Sequence, residues 1–305
     1  MAGVIALGEC MVELGLTGPA SVAVGYAGDT FNTAVYLSRL GMEVSYATAV
    51  GADDPFSAGI LGMMAAEKIS THLVVREADR VPGLYAIERD AAGERSFYYW
   101  RGEAPARDYM ELVDLPALSA AMAGADLIYL SAISLAVIGQ TGRAILLPML
   151  AEAAALGVAV AFDTNYRPRL WPNSQVGQSA IEGALAHCRY LSLSTADVEA
   201  FSGGSAATIA RGEAGRGCEV VLRDEDRTIH VYSGHEVTSF PAEPVVAAMD
   251  TTGAGDSFNA GYLAARLAGR PIDEAVASAR ALAAVVVQHP GAIIPAAAMP
   301  QTSLR

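Results

Sequence analysis

Residues 125–165 read ADLIYLSAISLAVIGQTGRAILLPMLAEAAALGVAVAFDTN. Two short apolar runs, ADLIYLSAIS and VAVAFDTN, flank a helical pattern from about Thr141 to Leu156, and Gly157 ends that pattern. Strand, helix and strand in this order form a crossover unit, and crossover units build parallel sheets. The alternation extends both ways. VIALG leads, after a gap, to a helix from about Thr30 to Leu40 that stops at Gly41; VSYATAVG precedes a helix from about Pro55 to Lys68; RYLSLS and CEVVLR continue the series. The expected fold is α/β, a doubly wound, mostly parallel sheet with helices on both faces. Its connections are right-handed, and its ligands lie beyond the carboxyl ends of the strands. Toward the end, Ile272, Ala275, Val276, Ala279, Leu282, Ala283 and Val286 step by three and four, one apolar helix face between Pro271 and Pro290-Gly291. No repeat or low-complexity linker interrupts the chain, so a single domain over 1–305 is expected.

The chain has 305 residues, 52% of them hydrophobic, and a formal net charge of −13. This acidity argues against nucleic acid or an anionic membrane as a partner; an anionic small substrate would need a local cluster of cations. Cys10, Cys188 and Cys218 are odd in number and widely spaced. They fit neither a disulfide framework nor a zinc site, and they suit a reducing cytoplasm. Cys10 reads as a small buried hydrophobe. The start, MAGVIALGECMVEL, has no basic region before a long apolar one, and no apolar run reaches the ~18 residues of a membrane helix. The five histidines lack metal-ligand spacing, Trp100 and Trp171 read as packing residues, and RDEDR as a solvated turn. Lys68 is the only lysine, against nineteen arginines. A Walker P-loop and a protein-kinase fold each need a lysine at a set place, and Lys68 follows no glycine-rich loop, so both are excluded.

One segment breaks the alternation. GLYAIERDAAGERSFYYWR (83–101) has a period near two on both sides of DAAG, which fits a hairpin with a three-residue loop, Ala91-Ala92-Gly93, and a bulge. In that register Asp90 faces Glu94, Ile87 faces Phe97, and Tyr85 faces Tyr99. Tyr85, Tyr99 and Arg101 then share one face. A lone ribbon is marginal in water and must lie against something. It is either a surface hairpin with aromatic pairs or a flap that aims two phenols and a guanidinium at a polar ligand.

DTTGAGDSFNAGYLAARLAG (250–269) runs small residues into an amphipathic helix. Gly253-Ala254-Gly255 leaves the backbone uncovered where the helix begins, and its free N–H groups and dipole make an anion site. A phosphoryl group in transit is such an anion. Asp256 beside it makes sense as the acceptor of a proton from a hydroxyl that attacks phosphorus, help typically worth about 10²–10⁴-fold in rate. The amides would stabilise charge on the transferring group. Asp is also a good helix N-cap, and spacing alone does not choose between cap and base. A nicotinamide dinucleotide site is disfavoured, because its G-x-G-x-x-G follows the first strand, and here GAGDSFNAG comes late.

DTTGAGDSFNAG (250–261), together with GYAGDTFNTAVYLSRLG (25–41), resembles the two signatures of the ribokinase-like (PfkB) carbohydrate kinases. LGECMVEL, GDTFNTAVYLSRLG, PGLYAIERDAAGERSFYYWR, DTNYRPRLW and HPGAIIP are similar to the branch of that family acting on 2-keto-3-deoxygluconate. The resemblance covers nearly the whole chain. It implies a ribokinase-like sheet with a small β lid from about 9–27 and 78–107. It also implies ATP- and Mg2+-dependent phosphorylation of the terminal hydroxyl, giving 2-keto-3-deoxy-6-phosphogluconate and ADP. By the same resemblance Asp256 matches the catalytic base, and Gly253, Ala254 and Gly255 the anion hole. Gly28, Asp29 and Asn32 match the sugar-contacting turn. Glu13 stands where many relatives hold a sugar hydroxyl with Asp. Tyr85, Tyr99 and Arg101 match lid residues over the substrate, and Arg167 a second substrate-facing arginine. Asp163, Asn165, Ser194 and Arg223, with Gly253 and Gly255, fall on the ATP side. A monovalent cation and a homo-oligomer formed through the lid belong to the same set of expectations.

Some positions depart from the family pattern. Ser194-Thr195-Ala196-Asp197 replaces the usual Asn-x-x-Glu, so magnesium would be held mainly by phosphates and water, with Asp197 as the candidate protein contact. Glu225 replaces a glycine near the adenine, and Ala27 the first of two glycines. The substrate also has a physical argument. A carboxylate can receive charge-assisted bonds from Arg101 and Arg167, whereas a neutral sugar needs no guanidinium. Either arginine could instead pair with an acid of the fold; Asp163 and Glu199 are candidates for Arg167, and Arg101 has the two tyrosines beside it. The competing readings are a kinase for a neutral ketose such as fructose and a sugar-acid sensor that has lost catalysis.

Overall fold

The computed structural model describes residues 2–18, 21–89, 95–243 and 248–300. The apolar runs become strands: β1 (Gly3–Leu7), β2 (Met11–Gly18), β3 (Ser21–Ala27), β4 (Glu43–Gly51), β5 (Val74–Glu77), β6 (Leu84–Arg89), β7 (Arg95–Trp100), β8 (Leu127–Ser131), β9 (Ala159–Asp163), β10 (Tyr190–Ser194), β11 (Glu219–Arg223), β12 (Ile229–Ser233) and β13 (Glu236–Phe240). Nine lie in one sheet, ordered β13-β12-β11-β10-β9-β8-β1-β4-β5. Pairing is parallel from β5 to β11, and β12 and β13 add antiparallel strands at one edge. The strand alternation did not foresee that edge, because the RDEDR turn joins β11 to β12 without a helix.

Successive side chains of a strand point to opposite faces, so each central strand feeds two cores. Ile5, Leu7, Ile128, Leu130, Val160 and Phe162 pack with helices on one face. Val4, Ala6, Leu127, Tyr129 and Ala161 pack on the other. Each buried Val, Leu, Ile or Phe among them contributes roughly 1.5–3 kcal/mol by leaving water. The helices fall near their expected places: Asp29–Arg39, Pro55–Ala66, Gly139–Ala155 and Ile272–Val286. The second stops two residues short of Lys68, because Lys68 takes a left-handed conformation, φ 58°, that a helix cannot continue.

Four strands form a second, smaller sheet, ordered β3-β2-β6-β7. Tyr85 faces Tyr99 and Ile87 faces Phe97, in the register expected of the hairpin. The Ala91–Gly93 loop and the Asp90–Glu94 pair lie outside the described residues. Less foreseeable is the parallel pairing of β2 with β6, which joins two segments distant in sequence. β1 lies between β8 and β4, the point where strand order reverses. A crevice opens there beyond the carboxyl ends, and the small sheet stands beside it.

Candidate active site

The crevice is a cleft of about 1340 Å³. Ordinary ligand pockets run to ~300–1,000 Å³, so there is room for a sugar and a nucleotide together. It is lined by Gly28, Asp29, Asn32, Tyr85, Tyr99, Arg101, Asp163, Asn165, Arg167, Ser194, Asp197, Arg223 and Gly253 to Asp256. Glu13 is the exception among the expected residues. It lies on the inner face of the small sheet and accepts a hydrogen bond from Tyr85 Oη, so it acts on the cleft through that phenol.

The helix Ala254–Leu267 opens at Gly253, whose φ is 75°. A Cβ there would lie 2.6 Å from Ala292 O, so both conformation and crowding demand glycine. Gly253 is the N-cap, and Asp256 is the third helical residue. The alternative of Asp256 as a cap is therefore removed; its side chain turns to the cleft. Asn32 Nδ2 donates to Asp256 Oδ2 at 2.7 Å, and Asn32 is steadied by the Gly28 N–H at 3.4 Å. Burial pushes the Asp256 carboxyl well above the usual range, and the nearby Asp29 pushes it further; the Asn32 bond and Arg223 act the other way. A carboxylate so placed has a raised affinity for protons and stands beside a helix start that favours anions.

Asp29 accepts hydrogen bonds from Ser131 Oγ and, at 3.1 Å, from Asn165 Nδ2. Asn165, expected on the ATP side, thus also braces Asp29. Asp163 is 2% exposed and holds two partners, Asn259 Nδ2 at 2.9 Å and Arg223 Nη2 at 3.3 Å. Burial raises its carboxyl, and Arg223 opposes the shift. Ser194 accepts from the Asp197 N–H at 3.1 Å and caps the helix Thr195–Ser202. Both oxygens of Asp197 are engaged, by Thr164 Oγ1 at 2.9 Å and the Tyr166 N–H at 3.1 Å. Among the described residues no cluster of three or more acids, histidines or cysteines could cage a metal. Magnesium is ordinarily held by one or two carboxylates together with substrate phosphates, so a site for it here would be completed by the phosphates of a nucleotide. Glu225 is exposed in its turn.

The two arginines reverse their expected standing. Arg101 was the one expected to be free, and it is ion-paired with buried Glu9. Its place one residue past β7, where the chain returns to the core, brings it against Glu9 between β1 and β2. For Arg167, expected to face the substrate, Asp163 and Glu199 were the alternative partners. Arg167 is exposed, donates only to Tyr166 O at 3.3 Å, and has no ion pair among the described residues. Asp163 is occupied by Arg223 instead. Sequence reasoning missed Glu9 and Asn259. Asn259 was findable, since it follows Asp256 by three residues on one helix face. Glu9 carried a weaker signal, an acid directly after the first apolar strand.

Residues 1–299 match the family model described as pfkB family carbohydrate kinase. The 2-dehydro-3-deoxygluconokinase of Dickeya dadantii is 42% identical over 304 residues, covering 96% of this chain and 97% of that protein. A fructokinase of Klebsiella pneumoniae is 30% identical, covering 85% and 82%. In fold, the chain is similar to the crystal structure of 2-dehydro-3-deoxygluconokinase from Thermotoga maritima, with a TM-score of 0.82, 22% identity and 96% coverage of each chain.

Proposed function

The chain belongs to the pfkB family of carbohydrate kinases, and from that premise we propose that it transfers the γ-phosphoryl group of ATP to the terminal hydroxyl of 2-keto-3-deoxygluconate. The observation that carries the choice of substrate is the meeting of Arg167 and Arg101 in one cleft with Asp256. A sugar acid has a carboxylate to offer two guanidiniums, and a neutral ketose does not. The resemblance to 2-dehydro-3-deoxygluconokinases at 42% identity, against 30% for a fructokinase, supports the same reading.

In this mechanism Asp256 takes the proton of the attacking hydroxyl. The oxygen forms its bond to phosphorus while the bond to the ADP oxygen breaks, and ADP leaves. Asn32 holds one Asp256 oxygen and leaves the other for the hydroxyl. The backbone of Gly253, Ala254 and Gly255 receives charge on the transferring group, a contribution commonly of ~3–4 kcal/mol per donor. Arg223 holds Asp163 and faces the nucleotide phosphates, with Ser194 beside them. Arg167 takes the substrate carboxylate, and Tyr85 and Tyr99 cover the sugar. A magnesium ion carried on the nucleotide would neutralise charge on its phosphates.

Two further assignments belong to this reading. Leu16, Val22, Val24 and Trp100 are exposed on the face of the small sheet away from the cleft, which suits pairing of two copies through the lid. The three free cysteines suit a reducing cytoplasm; among the described residues no helix is long and apolar enough to cross a membrane.

The test is ADP formation with 2-keto-3-deoxygluconate, with fructose and with no sugar. The keto acid should dominate, and Arg167→Gln should lower its kcat/KM by about ten- to a hundred-fold, the scale of a charge-assisted bond. A preference for fructose, or an equal loss for an analogue whose carboxylate is reduced to an alcohol, would overturn the substrate.

A further inference from the structure

Four chain crossings join the small sheet to the large one: residues 8–10 between β1 and β2, Gly28 after β3, Gly83 before β6, and Arg101 after β7. A buried ion pair ties the first of these to the last. Glu9 is 3% exposed and accepts a hydrogen bond from Arg101 Nη2, 92 residues away in sequence. The other two crossings pack closely against Glu9, one on its side chain and one on its backbone. A Cβ on Gly83 would come within 2.5 Å of Glu9 Oε1 and 3.1 Å of Arg101 Cβ. A Cβ on Gly28 would lie 2.1 Å from Glu9 O.

The pair is poorly arranged as a source of stability. Glu9 Oε1 and Arg101 Nε are both buried without a hydrogen-bond partner among the described residues. A half-satisfied buried pair loses in desolvation what it gains in attraction, and apolar side chains of like volume would join the crossings at least as well. What apolar side chains would not do is hold a guanidinium still at the wall of a cleft, and both Glu9 and Arg101 line that cleft.

We propose that Glu9 is a positioning residue that aims Arg101 at the sugar and locks the lid's outward and return crossings in the arrangement that keeps it aimed. The proposal rests on the function reading above and deepens it. Glu9 offsets much of the Arg101 charge, so Arg101 supplies directed hydrogen bonds. Arg167, exposed and without an acid partner among the described residues, supplies the uncompensated charge. The division explains why one site holds two guanidiniums for one carboxylate.

A double-mutant cycle tests it, with KM for the keto acid, KM for ATP and kcat measured on Glu9→Ala, Arg101→Gln and the double variant. Glu9→Ala should raise KM for the keto acid by about ten-fold and leave KM for ATP near its original value, as expected of coupled neighbours in one subsite. On top of Arg101→Gln, the same change should cost less than about two-fold, because nothing remains to be aimed. Glu9→Gln, which keeps an acceptor for Arg101, should restore most of the loss. Where the alanine variant fails to fold, Glu9→Met, close in volume and without an acceptor, takes its place in the cycle. Equal costs in both backgrounds, or a rise in KM for ATP as large as that for the sugar, would overturn this proposal alone. No turnover of the keto acid by the unmodified protein would remove the function reading and this proposal together.

Discussion

At the scale of single residues, Asp256 sits where a carboxylate is least comfortable, buried and close to Asp29. Asp256→Asn keeps the size and removes the proton acceptor, so kcat should fall at least ~10²-fold with the fold intact. The same variant should melt higher at neutral pH. The folded value of Asp256 is raised above the unfolded one, so the fold favours the neutral acid. The stability this group gives is fully present below the unfolded value, near ~3.9, and is lost as pH rises through the folded value. The advantage of Asn is therefore present at pH 7 and fades as the solution is acidified; an Asn variant less stable than the parent at pH 7 contradicts the shift. Turnover has the opposite dependence, since the base must be ionised, and kcat should decline as pH falls through the raised value. Asp29→Asn removes the largest neighbouring charge that raises it and should move this acid limb to lower pH. An unmoved limb would mean that another group sets it. Asp256 and its glycines were legible because they are contiguous and announce a helix start. The Glu9–Arg101 pair was not, because nothing local in either segment names a partner 92 residues off.

At the scale of elements, the hairpin β6–β7 is the part of the proposed site expected to move. Tyr85 is 6% exposed and Tyr99 52%, with ring centroids 5.7 Å apart. One phenol is already seated and the other stands open to solvent. Closure over a sugar would bring Tyr99 down on Tyr85 and exclude water that would otherwise accept the phosphoryl group. Hydrogen exchange across Gly83–Arg101 should slow when the keto acid binds, more at β7 than at β6, since β6 is already paired on both sides. Identical exchange with and without ligand would make the ribbon a fixed surface feature. Its register was readable because a period of two and a short turn are local properties. The helices were readable for a similar reason, in a period of three to four and in Gly stops. The pairing of β2 with β6 was not, because parallel pairing depends on how distant segments meet once the core has formed. The antiparallel edge was missed because a turn of charged residues looks the same whether a helix or a strand follows.

At the scale of the whole molecule, the small sheet has two unlike faces. The inner one carries Glu13, Tyr85 and Tyr99 toward the cleft. On the outer one, β2, β3, β6 and β7 align Leu14 with Val24 and Ala86, and Leu84 with Trp100. Trp100 is 61% exposed and Val24 55%. Exposed apolar side chains gathered on one side of a sheet suit a partner surface, since monomeric soluble proteins rarely expose large apolar patches. A second copy is the simplest cover, because a twofold interface needs only one self-complementary surface. Such an interface would also brace the sheet whose hinges hold Arg101, so association and sugar affinity should be linked. Trp100→Glu places a charge on the outer face and, by symmetry, on both sides of any twofold contact, while leaving the cleft lining and the core untouched. Sedimentation should show the parent as a dimer and the variant as a monomer at micromolar concentration. KM for the keto acid should then rise more in the variant than KM for ATP, because the residues proposed for the nucleotide are carried by the large sheet. A parent that sediments as a monomer with full activity would show that the outer face serves some other purpose, and that the lid needs no partner to hold its shape.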